Sequence, residues 1–370
     1  MISVAEPQLI GREAEYVADC LRRGRLSGAQ YVDLFERGLA DACGAQHAAV
    51  CCNGTAALHL ALLALDLRPG DEVIVPNLTY VATANAVRYS GATPVFCDVD
   101  PQTWMLTPET IRPRVTERTR GILVVHLYGL VADIHALDVF AADRGLWIVE
   151  DAAEAIGARS HGRAVGSTHL TTLSFYGNKI ITCGEGGAVL SQSAALDERI
   201  RLYRGQGVRS AGSYRHEVVG YNYRLGELQA AVGFGQLECL DWHLFQHRRV
   251  AAAYRTWATA RGLEHQVVAP GTEPADWKFT FLVPRWADRD VVAAALLRAE
   301  IQTRPAFPLV TSLPMYRTSP YPSGTGWYPV ADDISARGLT LPTHAGLTDT
   351  EIARICHSVG ACCGAERVRV

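Results

Sequence analysis

A chain of 370 residues exceeds what one ordinary core accommodates and points to two domains, or one large domain with a smaller partner. Its net charge of −3 and pI near 6.5, with no block of Lys or Arg, give no support for binding nucleic acid or an anionic membrane. The first residues show no basic region followed by an apolar core, and no apolar run reaches the roughly 18 residues of a spanning helix, so a cytoplasmic protein is expected.

From about residue 45 helical and strand signals alternate. Residues 48–52 are a short apolar run read as a strand, and Asn53-Gly54-Thr55 turns it into an alanine- and leucine-rich helix over 56–65. Strands at 71–75 and 94–98 alternate with helices at 80–90 and from 107 to 112. A β-branched run at 121–127, a helix at 134–144 and a strand at 146–150 continue the rhythm. Buried strands alternating with helices predict an α/β fold whose mostly parallel sheet is covered on both faces. Beyond 240 the pattern changes. A long helix at 237–260 leads to a strand at 279–283, a helix at 289–300, a Pro-rich loop at 304–329 and a closing helix at 349–359. The expected division is therefore a large domain over 1–240, with an N-terminal arm, and a smaller α+β domain over 241–370. No internal repeat or low-complexity tract is evident.

Two stretches carry chemistry. The apolar run Leu146-Trp147-Ile148-Val149 ends in Glu150-Asp151, and Ser174-Phe175-Tyr176-Gly177-Asn178-Lys179 is followed by Gly184-Glu185-Gly186-Gly187. A carboxylate ending one strand and a lysine shortly after the next are what pyridoxal phosphate needs. The carboxylate keeps the pyridine nitrogen protonated, and the lysine bonds the aldehyde and later moves a proton. Most lysines are solvated surface charges, so the surround of Lys179 carries this reading. The turn Asn53-Gly54-Thr55-Ala56-Ala57 fits phosphate binding at a helix start, although an ordinary N-cap uses the same residue types. Ser174 is a plausible hydroxyl donor to the same phosphate. Tyr80, heading a helix after a strand, suits the flat face of a ring cofactor, while core packing would use it as readily. Glu154 suits a contact to the ring's 3-hydroxyl, against the ordinary alternative of a solvated glutamate.

Ten cysteines include the adjacent pairs Cys51-Cys52 and Cys362-Cys363, without C-x-x-C or paired-histidine spacing. They read as small buried hydrophobes, and no metal site is expected. Cys183, close to Lys179, stands out as a thiol open to oxidation or modification.

These residues resemble a known family, the DegT/DnrJ/EryC1/StrS sugar aminotransferases of pyridoxal phosphate fold type I, whose fold is that of aspartate aminotransferase. The resemblance runs through Leu26-Ser27-Gly28, Phe35-Glu36, the Asn53 loop and Val125-His126-Leu127-Tyr128-Gly129. It continues with Glu150-Asp151-Ala152-Ala153-Glu154-Ala155, the Lys179 segment, Gly220-Tyr221-Asn222-Tyr223-Arg224-Leu225, Thr303-Arg304-Pro305 and Arg337-Gly338-Leu339-Thr340-Leu341-Pro342. It implies Lys179 as the cofactor lysine, Asp151 at the ring nitrogen and Tyr80 stacked on the ring. It further implies Gly54, Thr55, Ala56 and Ser174 around the phosphate, with Asn222 reaching it from the neighbouring subunit of a homodimer with shared sites. An amino group then passes from L-glutamate, released as 2-oxoglutarate, to a keto-sugar.

Within the family, Phe175-Tyr176-Gly177-Asn178-Lys179 and the Glu150–Ala155 run look most like the subgroup that aminates C4 of GDP-4-keto-6-deoxymannose. Three departures fall where substrate is expected: residues 208–217, Thr311 where relatives carry histidine, and Arg25 where an aromatic is frequent. Arg25, His126, Arg215, His216 and Thr311 are therefore the substrate-side candidates, with Arg209 adding charge nearby. A cyclitol or aminoglycoside-type keto-sugar without a nucleotide, or amination at another carbon, is the alternative. A sugar dehydratase of this fold carries histidine at the lysine position, which Lys179 argues against. A non-catalytic regulator would be expected to have lost Asp151 or Lys179.

Overall fold

The computed structural model describes residues 1–209, 214–317 and 326–363. Part of the 208–217 departure and part of the Pro-rich 304–329 loop thus lie outside the described residues.

The chain opens with helices α1 (Glu13–Arg23) and α2 (Gln30–Cys43), each closed by a left-handed glycine, Gly24 and Gly44. Strands β1 (His47–Cys51), β2 (Glu72–Pro76), β3 (Thr93–Cys97), β4 (Thr119–Val125) and β5 (Trp147–Asp151) follow. Between them run α3 (Gly54–Ala64), α4 (Ala82–Tyr89), the short α5 (Pro108–Ile111) and α6 (Ile134–Ala142). Two-residue strands β6 (Arg159–Ser160) and β7 (Arg163–Ala164) precede β8 (Leu170–Ser174) and β9 (Gly187–Ser191). Helices α7 (Ala194–Arg204), α8 (Glu227–Glu238) and α9 (Leu240–Thr259) complete this part.

The main sheet has the order β1-β9-β8-β5-β4-β2-β3. β2, β3, β4, β5 and β8 pair in parallel, and β9 runs antiparallel to both β8 and β1. β2 and β9 are buried along their whole length, as strands covered on both faces must be. Helix α3 is buried nearly all round. The side-chain oxygen of Asn53 caps it by accepting from the Ala56 N–H at 2.8 Å, a device of about 1 kcal/mol.

The rest is a smaller layer. β10 (Thr272–Glu273) joins β6 and β7, while β11 (Phe279–Leu282), β12 (Arg304–Pro305) and β13 (Gly338–Leu341) form an antiparallel sheet ordered β11-β13-β12. With it go α10 (Arg289–Arg298), α11 (Pro314–Arg317), α12 (Pro329–Arg337) and α13 (Asp349–Cys363). The buried apolar residues fall into two clusters, the smaller built from Ile2 and residues between Val250 and Cys363. The helix expected over 237–260 breaks at Cys239, and α9 serves both clusters: Leu240 and Leu244 face the large one, Val250, Tyr254 and Ala258 the small one. The N-terminal residues cross to the small layer, where Ile2 bridges Ile301. No described helix is long and apolar enough to cross a membrane.

Candidate active site

The parallel strands place their carboxyl ends along one edge, the usual position of a binding crevice in an open α/β sheet. Asp151 ends β5, Ser174 ends β8, the Asn53 turn follows β1, and Tyr80 follows β2. Together with the β8–β9 connection that carries Lys179 and with Trp277 and Phe307, they line a cleft of about 410 Å³.

At its floor Asp151 is almost fully buried. Its Oδ2 accepts from the Thr83 hydroxyl at 2.8 Å, and its Oδ1 from the Ala153 N–H at 3.2 Å. Thr83 in turn touches the Thr79 hydroxyl at 3.0 Å. Burial pushes the Asp151 carboxyl above the usual range, and the Thr83 hydrogen bond opposes this. A cation placed against it would favour the charged form. Glu154, also buried, accepts the Tyr128 N–H at 2.7 Å, and its other oxygen lies 3.5 Å from the Lys179 Nζ. Burial raises its carboxyl too, with Lys179 pulling the other way.

The strand end that presents Asp151 is braced from behind. His126 is fully buried, and its Nδ1 accepts the Ala132 N–H at 3.2 Å, so Nε2 carries the proton that it donates to Glu150 at 2.8 Å. Burial alone would raise the Glu150 carboxyl most strongly, but the His126 bond together with the neighbouring His169 and the Thr171 hydroxyl outweighs it, and the carboxyl lies below its usual range. Losing one partner of such a buried pair costs about 3–5 kcal/mol. Of the substrate-side candidates, His126 thus sits beneath the cleft rather than in its lining.

The opposite end suits an anion. The Ala56 N–H is taken by the Asn53 cap, and the N–H groups of Gly54 and Thr55, at the open start of α3, have no acceptor among the described residues. The sequence reading placed Ala56 among the phosphate contacts; the cap directs that N–H back to Asn53 instead. A Cβ on Gly54 would stand 2.8 Å from the Ser174 Cβ and 3.0 Å from its hydroxyl, so the loop and that hydroxyl share one tight cradle. The Tyr80 ring is exposed at the mouth, with its centroid 5.9 Å from that of Phe307. A buried carboxylate, a lysine amine, a helix start with free donors and a flanking ring form a donor set that fits pyridoxal phosphate.

The remaining candidates lie elsewhere. Asn222 is exposed and outside its own chain's cleft. Arg25, Arg215 and His216 are exposed, His216 meeting the Gln206 carbonyl through Nδ1 at 2.7 Å. Arg209 pairs with Glu198 and Glu217. Thr311 is held by Asn77, whose Nδ2 donates to the Thr311 hydroxyl at 2.9 Å while its Oδ1 accepts the Thr311 N–H at 3.0 Å. Cys183 is buried and its thiol is pushed up to about 12 by desolvation, so it lacks the thiolate that oxidation or modification requires. Sequence reasoning missed Thr83 and Trp277. Thr79 and Thr83 share one face of a helical turn beside Tyr80, which was a usable signal for the first; nothing local marks the second.

A family model described as the DegT/DnrJ/EryC1/StrS aminotransferase family matches residues 7–360. The chain is 42% identical over 361 residues to a GDP-perosamine synthase of Caulobacter vibrioides, covering 96% of each. It is 38% identical to a GDP-perosamine synthase of Escherichia coli O157:H7, covering 97% of each. Among solved structures, DesV of S. venezuelae superposes with a TM-score of 0.91 at 36% identity, covering 96% of this chain and 95% of that one.

Proposed function

The chain belongs to the DegT/DnrJ/EryC1/StrS aminotransferase family, a pyridoxal phosphate-dependent sugar aminotransferase, and on that premise we propose that it moves the amino group of L-glutamate onto C4 of GDP-4-keto-6-deoxymannose. The observation that carries the site assignment is the convergence of Lys179 and Asp151 on one cleft beside the open start of α3. The two GDP-perosamine synthases that span nearly the same length support the choice of sugar.

Gly54, Thr55 and Ser174 would take the phosphate, and Tyr80 would cover one ring face. Asp151, held by Thr83 and Ala153, would keep positive charge at the ring nitrogen. Pyridoxal phosphate supplies an electron sink and a carrier for the amino group. Lys179 anchors the cofactor between turnovers, and its freed Nζ takes up and returns the proton at the reacting carbon of each substrate. Glu154 lies 3.5 Å from that amine and helps to place it.

The active unit in this reading is a homodimer with shared sites. Asn222 is solvent-exposed and outside the lining of its own cleft, as a residue serving a neighbour's phosphate would be. Mixing Lys179→Ala with Asn222→Ala subunits then restores one lesion-free site per mixed dimer; subunit exchange without recovered activity would count against sharing. The substrate is tested by a coupled assay on a panel of nucleotide-linked and free keto-sugars, with NMR of the product. Preferred turnover of the GDP-linked 4-keto sugar to a 4-amino product is expected. Equal turnover of a free keto-sugar or a cyclitol would overturn the proposal.

A further inference from the structure

We propose that Trp277 is the positioning residue of Lys179: its indole face holds the free amine inside the cleft, and its N–H fixes the backbone that carries the lysine. This rests on the reading of Lys179 as the cofactor lysine. The Lys179 Nζ lies 3.9 Å from the centroid of the Trp277 ring, well within the range at which an aromatic face attracts an ammonium. The indole Nε1–H donates to the carbonyl of Asn178, the residue before the lysine, at 2.6 Å. One side chain thus contacts both the head of Lys179 and the main chain at its root.

Trp277 is itself fixed from several sides. Its neighbours Ala275 and Lys278 donate their N–H groups to the carbonyls of Gly129 at 2.8 Å and Tyr128 at 3.1 Å. Gly129 has φ +92°, and a Cβ there would stand 2.5 Å from the Trp277 nitrogen, so the approach needs glycine. Asp276 is gripped by both terminal nitrogens of Arg255, at 2.6 and 2.8 Å. The Tyr128 N–H meanwhile holds Glu154. A single turn, Tyr128-Gly129, therefore aligns the two groups that flank the amine, a carboxylate on one side and an aromatic face on the other.

The difference between those groups matters for the reaction. A carboxylate attracts the ammonium and also accepts its proton. The indole face attracts the ammonium and has no lone pair with which to take the proton. Resting on Trp277, the amine keeps its proton for the reacting carbon and stays within reach of it, rather than swinging to solvent when it is not bonded to the cofactor.

The test uses the full chain with Trp277→Leu, which removes ring and N–H, and Trp277→Phe, which keeps a ring. In the single-turnover reaction with glutamate, Trp277→Leu is expected to slow the rate constant about 30-fold with KM changed less than about twofold, and Trp277→Phe to recover all but about fivefold. In a Lys179→Ala background driven by added methylamine, Trp277→Leu is expected to change the rate less than about twofold, because the residue acts through Lys179. In the cofactor-free chain, trinitrobenzenesulfonate labelling of Lys179, read by peptide mass spectrometry, is expected to run at least about threefold faster in Trp277→Leu. Unchanged rate and labelling in Trp277→Leu, or a loss that persists in the methylamine-driven background, would overturn the proposal. Normal turnover by Lys179→Ala alone would instead remove the reading of Lys179, and the labelling comparison would still decide the contact.

Discussion

At the floor of the cleft Asp151 and Glu154, with Glu150 beneath them, are buried on fixed partners within one chain, whereas Arg25, Arg215 and His216, the rim, are exposed and outside the cleft lining. The floor is a set of buried charges, each costly to leave unpaired, so its geometry is over-determined by hydrogen bonds. The rim charges are exposed, and exposed charges contribute little to folding. On the function proposed above, chemistry belongs to the buried half and the choice of substrate to residues that substitution changes at small structural cost.

Substitutions at the floor are expected to lower kcat, and those at the rim to raise KM. The largest effect belongs to Lys179→Ala, for which steady-state turnover should fall at least about 10⁴-fold while circular dichroism stays native. Substantial turnover would place the proton carrier elsewhere. Asp151→Asn should retain bound cofactor and lose about 10²–10³-fold in kcat, checked by absorbance of the bound cofactor and initial rates. Next comes Thr83→Val, expected to cost about tenfold, the equivalent of ~1.4 kcal/mol. Burial raises the Asp151 carboxyl and the Thr83 hydrogen bond opposes that rise. Removing the bond lets the folded pKa climb further, so the ionised form needed for activity is lost at a higher pH. A pH–rate profile whose acid limb does not move upward in Thr83→Val would break the link between the two residues. An effect of the same size, but on KM, is expected at the rim: Arg215→Ala should raise KM for a nucleotide-sugar about tenfold and leave the glutamate half-reaction unchanged. If that variant lowered kcat instead, floor and rim would not be separable.

The division between floor and rim also describes what the sequence makes legible. The strands from β1 to β5 are short apolar runs that a sheet covered on both faces demands, and their ends and the turns after them hold Asp151, Asn53 and Tyr80, so that edge of the fold is readable locally. The N-terminal helices went unread although their stripe is plain: Tyr31, Phe35, Leu39 and Cys43 recur every fourth residue and are all buried. β9 is a five-residue antiparallel strand among parallel ones, and its pairing with β1 depends on residues far away in the chain. Thr83 to Asp151, Tyr128 to Glu154 and Trp277 to Asn178 are likewise contacts between distant segments. Residue type and spacing mark Thr83 at most, and name none of the partners; the contacts exist because β2, β4 and β5 are neighbours and because the 275–278 segment lies across Gly129.

Next to Trp277, Lys278 is buried and donates to the carbonyls of Val4, at 2.8 Å, and Thr343, at 3.2 Å. Desolvation lowers its pKa to about 7, with the Lys179 charge adding to the effect. Between pH 7 and 10.5 the unfolded chain binds a proton at this lysine that the folded chain does not, so stability rises with pH across that window; below pH 7 both forms hold the proton and the penalty is constant. The seam joining the N-terminal arm to the small layer is therefore proton-linked, tightening in alkali and loosening toward neutrality. The Tm difference between the wild-type chain and Lys278→Met measures that linkage: it should shift in favour of the wild type as pH is raised from 7 to 10, and a difference independent of pH would mean that the lysine keeps its proton throughout.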